Sequence, residues 1–320
     1  MSLKDGTMAW HLAGLNVVQG ATRRPPEVSP KGLEAARAAA ERVAARFQIR
    51  RIDKAILERW RAEAENRSLY VLDIRTPEEY EAGHLRGARS APGGQLVQET
   101  DAHVATWGGR IVLVDDNGIR ATMTASWLKQ MGWSDVAVLV ASPGDGGWES
   151  GRYNPRVLGL EKAVAPEIGV ADLRKALEAG NTVVIDLDFS RAYAHGHIPG
   201  AWFATRTRLV NALAKLPGAS SIVLTSPDGR LAQLAAANLE GIAGVPLKFL
   251  KGGTRAWIDA GLRLEPGASH MVDEADDVVL SARERNQDRE AAMREYLEWE
   301  INLVNDMATD DDHRFQVTLS

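Results

Sequence analysis

Two loops of this chain have the form of a site that holds a nucleophile, and neither contains a cysteine. Each lies between an apolar run and a segment with the pattern of a helix. The first loop consists of Asp115, Asp116, Asn117, Gly118, Ile119 and Arg120, and the second of Ser226, Pro227, Asp228, Gly229, Arg230 and Leu231. A glycine-containing loop that opens a helix can point backbone N–H groups inward and bind an anion. A thiol at its first position would be activated as a thiolate. Because the chain has no cysteine, its loops cannot use thiolate chemistry.

The first loop places a carboxylate where the nucleophile would be. Asp115 fills the cradle from within and repels an anionic ligand, and Asp116 adds to the repulsion. Arg120 is positioned to neutralise one of the two. We interpret the loop as a self-capped turn, with Asp115 or Asn117 capping a helix that begins near Arg120. The alternative is that Asp115 is a carboxylate nucleophile or a metal ligand, although the sequence predicts neither a metal nor another cofactor.

The second loop repels an anion less strongly than the first. Ser226 is nearly isosteric with cysteine and uncharged, so this loop is expected to bind small anions. A serine hydroxyl needs a base within hydrogen-bond reach to act as a nucleophile; His195 and His197 lie upstream, and we interpret His197 as a brace for its turn. Leu231 stands where the first loop has its arginine. Arg230 comes one residue earlier, so its guanidinium is expected to point out of the cradle.

The two loops belong to two copies of one sequence pattern. LDIRTPEEYEAGHLRGA from Leu72 aligns with IDLDFSRAYAHGHIPGA from Ile185, which places Asp73 over Asp186. The loops follow at nearly the same spacing, after the apolar runs that start at Ile111 and Ile222. Such self-similarity indicates a repeated fold.

Each copy predicts the same series of elements. A helix (53–64 or 170–179) precedes a buried strand (69–74 or 182–187); a short helix, a turn, a second strand, the loop and a long helix follow. The third strand is expected at 136–140 or 247–250. Short apolar strands that alternate with helices predict an α/β fold of two tandem domains, each a mostly parallel five-stranded sheet with helices on both faces. Ligands bind at the carboxyl edge of such sheets.

On these residues the chain resembles the rhodanese family over about 50–266. The features that match are the strand ending at Asp73, the GHLRGA and GHIPGA turns, the two loops, and the closing segment LKGGTRAWIDAGL. In active members the loop reads CxxGxR, and its thiolate takes sulfur from a donor such as thiosulfate or mercaptopyruvate and passes it to cyanide or a thiol. The resemblance therefore implies a sulfurtransferase fold whose cysteine positions hold Asp115 and Ser226. It also implies that Asp73, Arg75 and Asp186 hold neighbouring loops in place.

The termini indicate a larger protein. KDGTMAWHLAGL from Lys4 matches KGGTRAWIDAGL from Lys251, so residues 1–29 are expected to be the tail of a preceding rhodanese-like domain and a linker. Residues 30–160 form the first domain with its N-terminal helix, 161–266 the second, and 267–320 a linker and an amphipathic helix. That helix is expected to cover an apolar surface with one face; the residues of this face are Met293, Leu297, Ile301 and Val304. Five tryptophans are expected to pack in the core: Trp10, Trp127, Trp133, Trp202 and Trp257.

Composition limits the classes of function. The 320 residues are 45% hydrophobic and carry a net charge of −5, which is enough for two cores and argues against a nucleic-acid partner. No apolar run is long enough to span a membrane, and no secretion signal is visible, so we expect a cytoplasmic protein without a membrane partner.

Two hypotheses about function remain. In the first, the chain is the carboxyl-terminal part of a multi-domain sulfurtransferase, inactive itself, with a scaffold, docking or anion-binding role beside an upstream cysteine-bearing domain. A second copy of the chain, bound through the C-terminal helix as a homodimer, is a further expected partner. In the second, Ser226 or Asp115 catalyses ester or phosphate hydrolysis. A pair of Asp115 with Arg120 would favour the first hypothesis; a serine–histidine contact or a metal at Asp115 would favour the second.

Overall fold

A computed structural model describes residues 3–23, 26–142, 146–216, 218, 220–285 and 288–315. The first two and the last five residues, which the sequence assigned to the terminal segments, lie outside the described residues. The chain divides into two compact units, one of residues 1–155 with 297–320 and one of residues 156–296.

The first unit contains the first copy of the repeat. Its helices are α1 (Gly6–Leu12), α2 (Pro30–Arg46), α3 (Lys54–Ala62), α4 (Pro77–Ala82), α5 (Gly93–Gln98), α6 (Thr100–His103) and α7 (Ile119–Gln130). Its strands are β1 (Arg50–Arg51), β2 (Leu69–Asp73), β3 (His84–Leu85), β4 (Arg89–Ser90), β5 (Arg110–Asp115), β6 (Val136–Val140) and β7 (Trp148–Glu149). Strands β1, β6, β5, β2 and β4 form a five-stranded sheet in that order, and all its pairs are parallel.

Apolar residues at successive positions of β5 explain why both faces of this sheet are covered. Ile111 and Leu113 belong to the core cluster on one face, while Val112 and Val114 belong to the cluster on the other. Successive side chains of a strand point to opposite faces. A continuous apolar run therefore requires helices on both sides, as in other parallel sheets.

The second unit repeats this arrangement. Its strands and helices up to the closing segment are β8 (Glu167–Ile168), α8 (Val170–Glu178), β9 (Thr182–Asp186), α9 (Ser190–His195), β10 (Trp202–Phe203), α10 (Leu209–Leu213), β11 (Ser221–Thr225), α11 (Arg230–Asn238), β12 (Leu247–Leu250) and α12 (Gly253–Asp259). Its five-stranded sheet has the order β10, β9, β11, β12 and β8, again with parallel pairs only. The two-domain α/β fold predicted from the repeat is thus confirmed.

Local signals place the starts of helices well. The hydroxyl of Ser29 accepts a hydrogen bond from the Gly32 amide at the start of α2, and the Asp53 carboxylate accepts one from the Ile56 amide at the start of α3. Thr76 and Glu79 form a reciprocal capping box at the start of α4. The helix predicted at 53–64 begins one residue later and ends two residues earlier than predicted. The helix predicted at 170–179 begins at the predicted residue and ends one residue earlier.

The expectation of core packing was wrong for two tryptophans. Trp133 and Trp257 are buried, but Trp10 is 42% exposed and Trp127 is 54% exposed. Trp127 lies on α7, whose buried residues sit on its other sides. Apolar type alone does not say which side of a helix meets the core.

The C-terminal helix α13 (Arg289–Thr309) is covered over only part of its apolar face. Met293 is buried and Leu297 is half-buried, whereas Ile301 is 67% and Val304 is 75% exposed. Of the predicted apolar face, only Met293 and Leu297 are therefore covered among the described residues, and a partner for Ile301 and Val304 stays a prediction. No helix among the described residues is long and apolar enough to cross a membrane.

Candidate functional site

Both loops open at the carboxyl edge of their sheets, between a central strand and the helix that follows it. In the first unit β5 ends at Asp115 and α7 begins at Ile119. In the second unit β11 ends at Thr225, and α11 begins at Arg230. This is the edge at which parallel α/β sheets bind ligands.

The carboxylate of Asp115 occupies the first loop from within. Its side chain is fully buried, and its two oxygens accept hydrogen bonds from the Gly118 amide at 2.6 Å and the Ala121 amide at 3.0 Å. Asn117 Oδ1 accepts a third hydrogen bond, from the Ile119 amide at 3.0 Å. Burial raises the pKa of the Asp115 carboxyl above its usual value, and the two amides oppose that shift. The amides that could bind an anion are thus held by the loop's own side chains.

We expect Asp115→Ala to lower the free energy of unfolding of the first unit by about 2–4 kcal/mol, because two buried amides lose their acceptor. Asn117→Ala is the matched control, since it frees a single, partly buried amide and should cost about 1 kcal/mol. Urea unfolding of both variants measures the difference. Equal losses would show that the Asp115 oxygens do not support the loop.

Arg120 pairs with a residue that the sequence analysis did not single out. Its two terminal nitrogens lie 2.8 and 3.1 Å from the carboxylate oxygens of Glu79 on α4, and one of them lies 3.3 Å from Asp116. The arginine hydrogen bond lowers the pKa of Glu79 to about 2. The hypothesised Asp115–Arg120 pair is not among the ion pairs of the described residues. Arg120 instead closes the loop through Asp116 and ties it to α4.

A signal for Glu79 was present in the repeat. The alignment of Asp73 with Asp186 places Ala192 opposite Glu79, and the second loop has Leu231 opposite Arg120. Both partners of the ion pair are therefore missing together from the second copy. Comparing the copies position by position would have indicated the contact.

The second loop is also folded around its own first side chain. Ser226 is fully buried, and its hydroxyl accepts a hydrogen bond from the Ala232 amide at 3.2 Å. Its carbonyl oxygen accepts hydrogen bonds from the amides of Gly229 at 3.3 Å and Thr254 at 3.0 Å. The loop is thus hydrogen-bonded to the start of α12.

The two upstream histidines are occupied or placed elsewhere in the part of the chain that the structure describes. His197 is buried, stacks on Tyr193 with ring centres 3.9 Å apart, and its Nδ1 lies 2.9 Å from the Tyr193 carbonyl oxygen. His195 ends α9 and is exposed. Among the described residues no hydrogen bond joins either histidine to Ser226. Arg230 lies 3.5 Å from Asp228.

The strand ends beside the loops differ in charge. In the first unit Asp73 and Arg75 are both buried and form a two-pronged ion pair, with distances of 3.0 Å from Nε to Oδ1 and 2.7 Å from the terminal nitrogen to Oδ2. In the second unit the counterpart of Arg75 is Asp188. Its amide donates to Asp186 at 3.0 Å, and burial raises the pKa of Asp186 to about 6. The second copy therefore has no arginine at the positions that correspond to Arg75 and Arg120.

The first loop borders an open groove of about 850 Å³. The groove is lined by residues 74–78 and 92–95, which are called its two walls here, and by Ile119, Arg120, Met123 and Thr124 of α7. No cluster of three or more histidine, aspartate or glutamate side chains able to hold a metal ion is found in the part of the chain that the structure describes.

Comparison with known proteins agrees with this geometry. The family model for the rhodanese-like domain matches residues 54–150 and 169–260. The chain is similar to a thiosulfate sulfurtransferase of Pseudomonas aeruginosa, with 42% identity, a TM-score of 0.86, and coverage of 98% of this chain and 59% of that one. It thus spans little more than half the length of that relative. No curated protein was found to match.

Two shorter structures resemble parts of the chain. One is a protein of unknown function from Rhodopseudomonas palustris, described as a possible tyrosine phosphatase, at 24% identity, TM-score 0.30, covering 35% of this chain and 100% of that one. The other is a rhodanese-related protein of Thermoplasma volcanium, at 18% identity, TM-score 0.29, covering 31% and 97%. The family model matches more than half of the chain, once in each unit. The chain therefore belongs to the rhodanese-like domain family and carries two domains of that fold.

Proposed function

We propose that the two domains of this chain do not transfer sulfur themselves and serve as an accessory part of a larger sulfurtransferase. The observation that carries this proposal is the state of the two cysteine positions. Asp115 and Ser226 are fully buried, and their side-chain oxygens are engaged by amides at the start of the following helix. Neither residue can form a persulfide, because that requires a thiolate.

The sulfur chemistry is assigned in this proposal to a cysteine-bearing domain upstream. The similar protein of Pseudomonas aeruginosa is a thiosulfate sulfurtransferase, and this chain covers 59% of it. The segment Gly6–Leu12 supports a preceding domain, since Trp10 Nε1 donates to the carbonyl oxygen six residues later, as Trp257 Nε1 does at the end of the second domain. The two domains would then supply scaffold and docking surfaces, among them the exposed Ile301 and Val304 of α13, to that domain or to a second copy of the chain.

Hydrolysis by Ser226 or Asp115 is the alternative reaction, and its support in the geometry is weak. A serine nucleophile needs a base within hydrogen-bond reach, and among the described residues no hydrogen bond joins the Ser226 hydroxyl to a histidine or a carboxylate. Asp115 uses both carboxylate oxygens on backbone amides. These contacts favour the accessory role.

A thiosulfate:cyanide sulfurtransferase assay tests the proposal. We expect no thiocyanate above background from this chain, and activity from the longer protein that carries an upstream cysteine-bearing domain. Mass spectrometry after thiosulfate treatment should place the added sulfur on the upstream cysteine. Thiocyanate formation by the cysteine-free chain would overturn the proposal, as would a longer protein that is inactive.

A further inference from the structure

The segment that follows the second domain runs back across the carboxyl edge of its sheet. Residues 270–272 join the edge strand β10 in parallel: the Phe203 amide donates to the His270 carbonyl oxygen at 2.8 Å, and the Val272 amide donates to the Phe203 carbonyl oxygen at 3.0 Å. A segment parallel to β10 leaves the sheet at the same edge as β10 does. That is the edge at which the Ser226 loop opens.

The next residues, 273–284, are named here the acidic strap, because they include five acidic side chains and one arginine. Two of the acids bind the segment after β10. Asp273 accepts a hydrogen bond from the Thr205 amide at 2.8 Å. Asp276 forms a two-pronged ion pair with Arg208, at 3.0 and 2.7 Å.

Two further acids of the acidic strap bind the start of α9. Asp277 accepts hydrogen bonds from the Ser190 amide, at 2.8 Å, and from the Ser190 hydroxyl. Glu284 pairs with Arg191 at 3.0 Å. The acidic strap is thus fastened on two sides of the same edge.

These two sides are the counterparts of the walls of the open groove in the first unit. The alignment of Asp73 with Asp186 makes Ser190 and Arg191 the counterparts of Pro77 and Glu78 in one wall. It makes Thr205 and Arg208 the counterparts of Pro92 and Gln95 in the other. The acidic strap therefore spans the position at which the first unit leaves its groove open.

We propose that the acidic strap is a lid that closes the entrance to the Ser226 cradle and excludes anions from it. Its acidic side chains neutralise Arg191 and Arg208, two cations on the segments to which the acidic strap is fastened. Both ion pairs are exposed, with side-chain exposures of 59% and 38% for one and 44% and 50% for the other. Exposed pairs are weak and are screened by salt, so the lid opens when ionic strength rises or when an anionic ligand competes for the arginines.

The absence of cysteine makes a single-cysteine reporter possible. In a Ser226→Cys chain, the rate of alkylation by neutral iodoacetamide measures how often the cradle opens to solvent. The double change Asp276→Asn and Glu284→Gln removes both exposed ion pairs while leaving Asp273 and Asp277 in place. We expect it to raise the alkylation rate about tenfold, since each pair contributes modestly and the two act together.

Two controls separate opening of the lid from other effects. Glu274→Gln removes a charge of the acidic strap for which the described residues show no ion pair, and should change the rate less than about twofold. An Asp115→Cys chain carrying the same double change reports on the first unit and should not respond. An unchanged rate at Ser226→Cys, or an equal rise at both reporters, would overturn the proposal.

A second measurement uses the unsubstituted chain and does not depend on the folding of any variant. Amide hydrogen exchange of Ser190 and Thr205, both held by acids of the acidic strap, should speed up as NaCl is raised. The Gly200 amide is the matched control, because it is held by the carboxylate of Glu265 outside the acidic strap. Equal salt responses of all three amides would contradict a salt-sensitive lid.

Discussion

Gly253→Ala is expected to lower the free energy of unfolding of the second unit by about 3 kcal/mol or more, the largest loss expected for an alanine at any glycine that the structure describes. Gly253 has φ +63°, and an added Cβ would overlap the Ser226 carbonyl oxygen and the Gly229 nitrogen. Both are backbone atoms of the Ser226 loop, so relief requires that the loop itself moves. We therefore expect the substitution to loosen the cradle as well as to destabilise the unit.

Gly261→Ala is the matched control for this prediction. Gly261 has φ +75° but no heavy atom within 4 Å of the added Cβ, so it pays only the left-handed backbone penalty of about 1–2 kcal/mol. Calorimetry of both variants compares the two losses, and hydrogen exchange of the Ala232 amide reports on the loop. If the two variants were equally stable, the close approach of Gly253 to the loop would be irrelevant to stability.

Asp186→Asn is expected to stabilise the second unit at neutral pH by up to about 3 kcal/mol. Asp186 is buried, and the ion pairs of the described residues include none for it. Its pKa is raised from 3.8 to about 6 by burial. Asparagine keeps an oxygen for the Asp188 amide, which donates to Asp186 at 3.0 Å, and carries no charge.

The dependence of this gain on pH follows from the direction of the shift. Between pH 3.8 and about 6 the folded state holds a proton on Asp186 that the unfolded state has released, so stability falls as pH rises through this window. The full penalty is present above the folded pKa and absent below the unfolded one. The gain from Asp186→Asn should therefore be large at pH 7.5 and small near pH 4.

Asp73→Asn is expected to give the opposite result, a loss of stability. Asp73 is as buried as Asp186 but is paired with Arg75, and removing one partner of a buried pair costs about 3–5 kcal/mol. Urea unfolding of both variants across the pH range supplies the comparison. A loss of stability for Asp186→Asn at pH 7.5 would show that the buried carboxylate has a stabilising partner.

The repeat in the sequence was sufficient to predict most of the fold. The apolar runs around Ile111 and Ile222 and the capping residues Ser29 and Asp53 act through neighbours in sequence, or through a pleat that repeats every two residues. The predicted strands at 136–140 and 247–250 have the observed bounds. Signals of this kind can be recognised in the sequence without any knowledge of tertiary contacts.

The contacts of the candidate site were harder to predict. Arg120 was expected to neutralise a carboxylate of its own loop; it does so at Asp116, but its closer partner is Glu79. The fastening of the second edge by Asp277 and its neighbours was not predicted, because Asp277 reaches a residue 87 positions away in the chain. Pairing over such a distance depends on where the elements pack, which one sequence does not encode locally.

The sequence by itself determined that thiolate chemistry is absent and that two copies of a rhodanese-like fold are present, because residue identity and periodicity are properties of the chain alone. The tertiary structure decided how Asp115 and Ser226 are used, which arginines face the loops, and which apolar residues of α7 and α13 remain exposed. The physical reason is that burial and ion pairing depend on three-dimensional neighbours. Two loops at equivalent places in the repeat therefore differ in charge and in contacts.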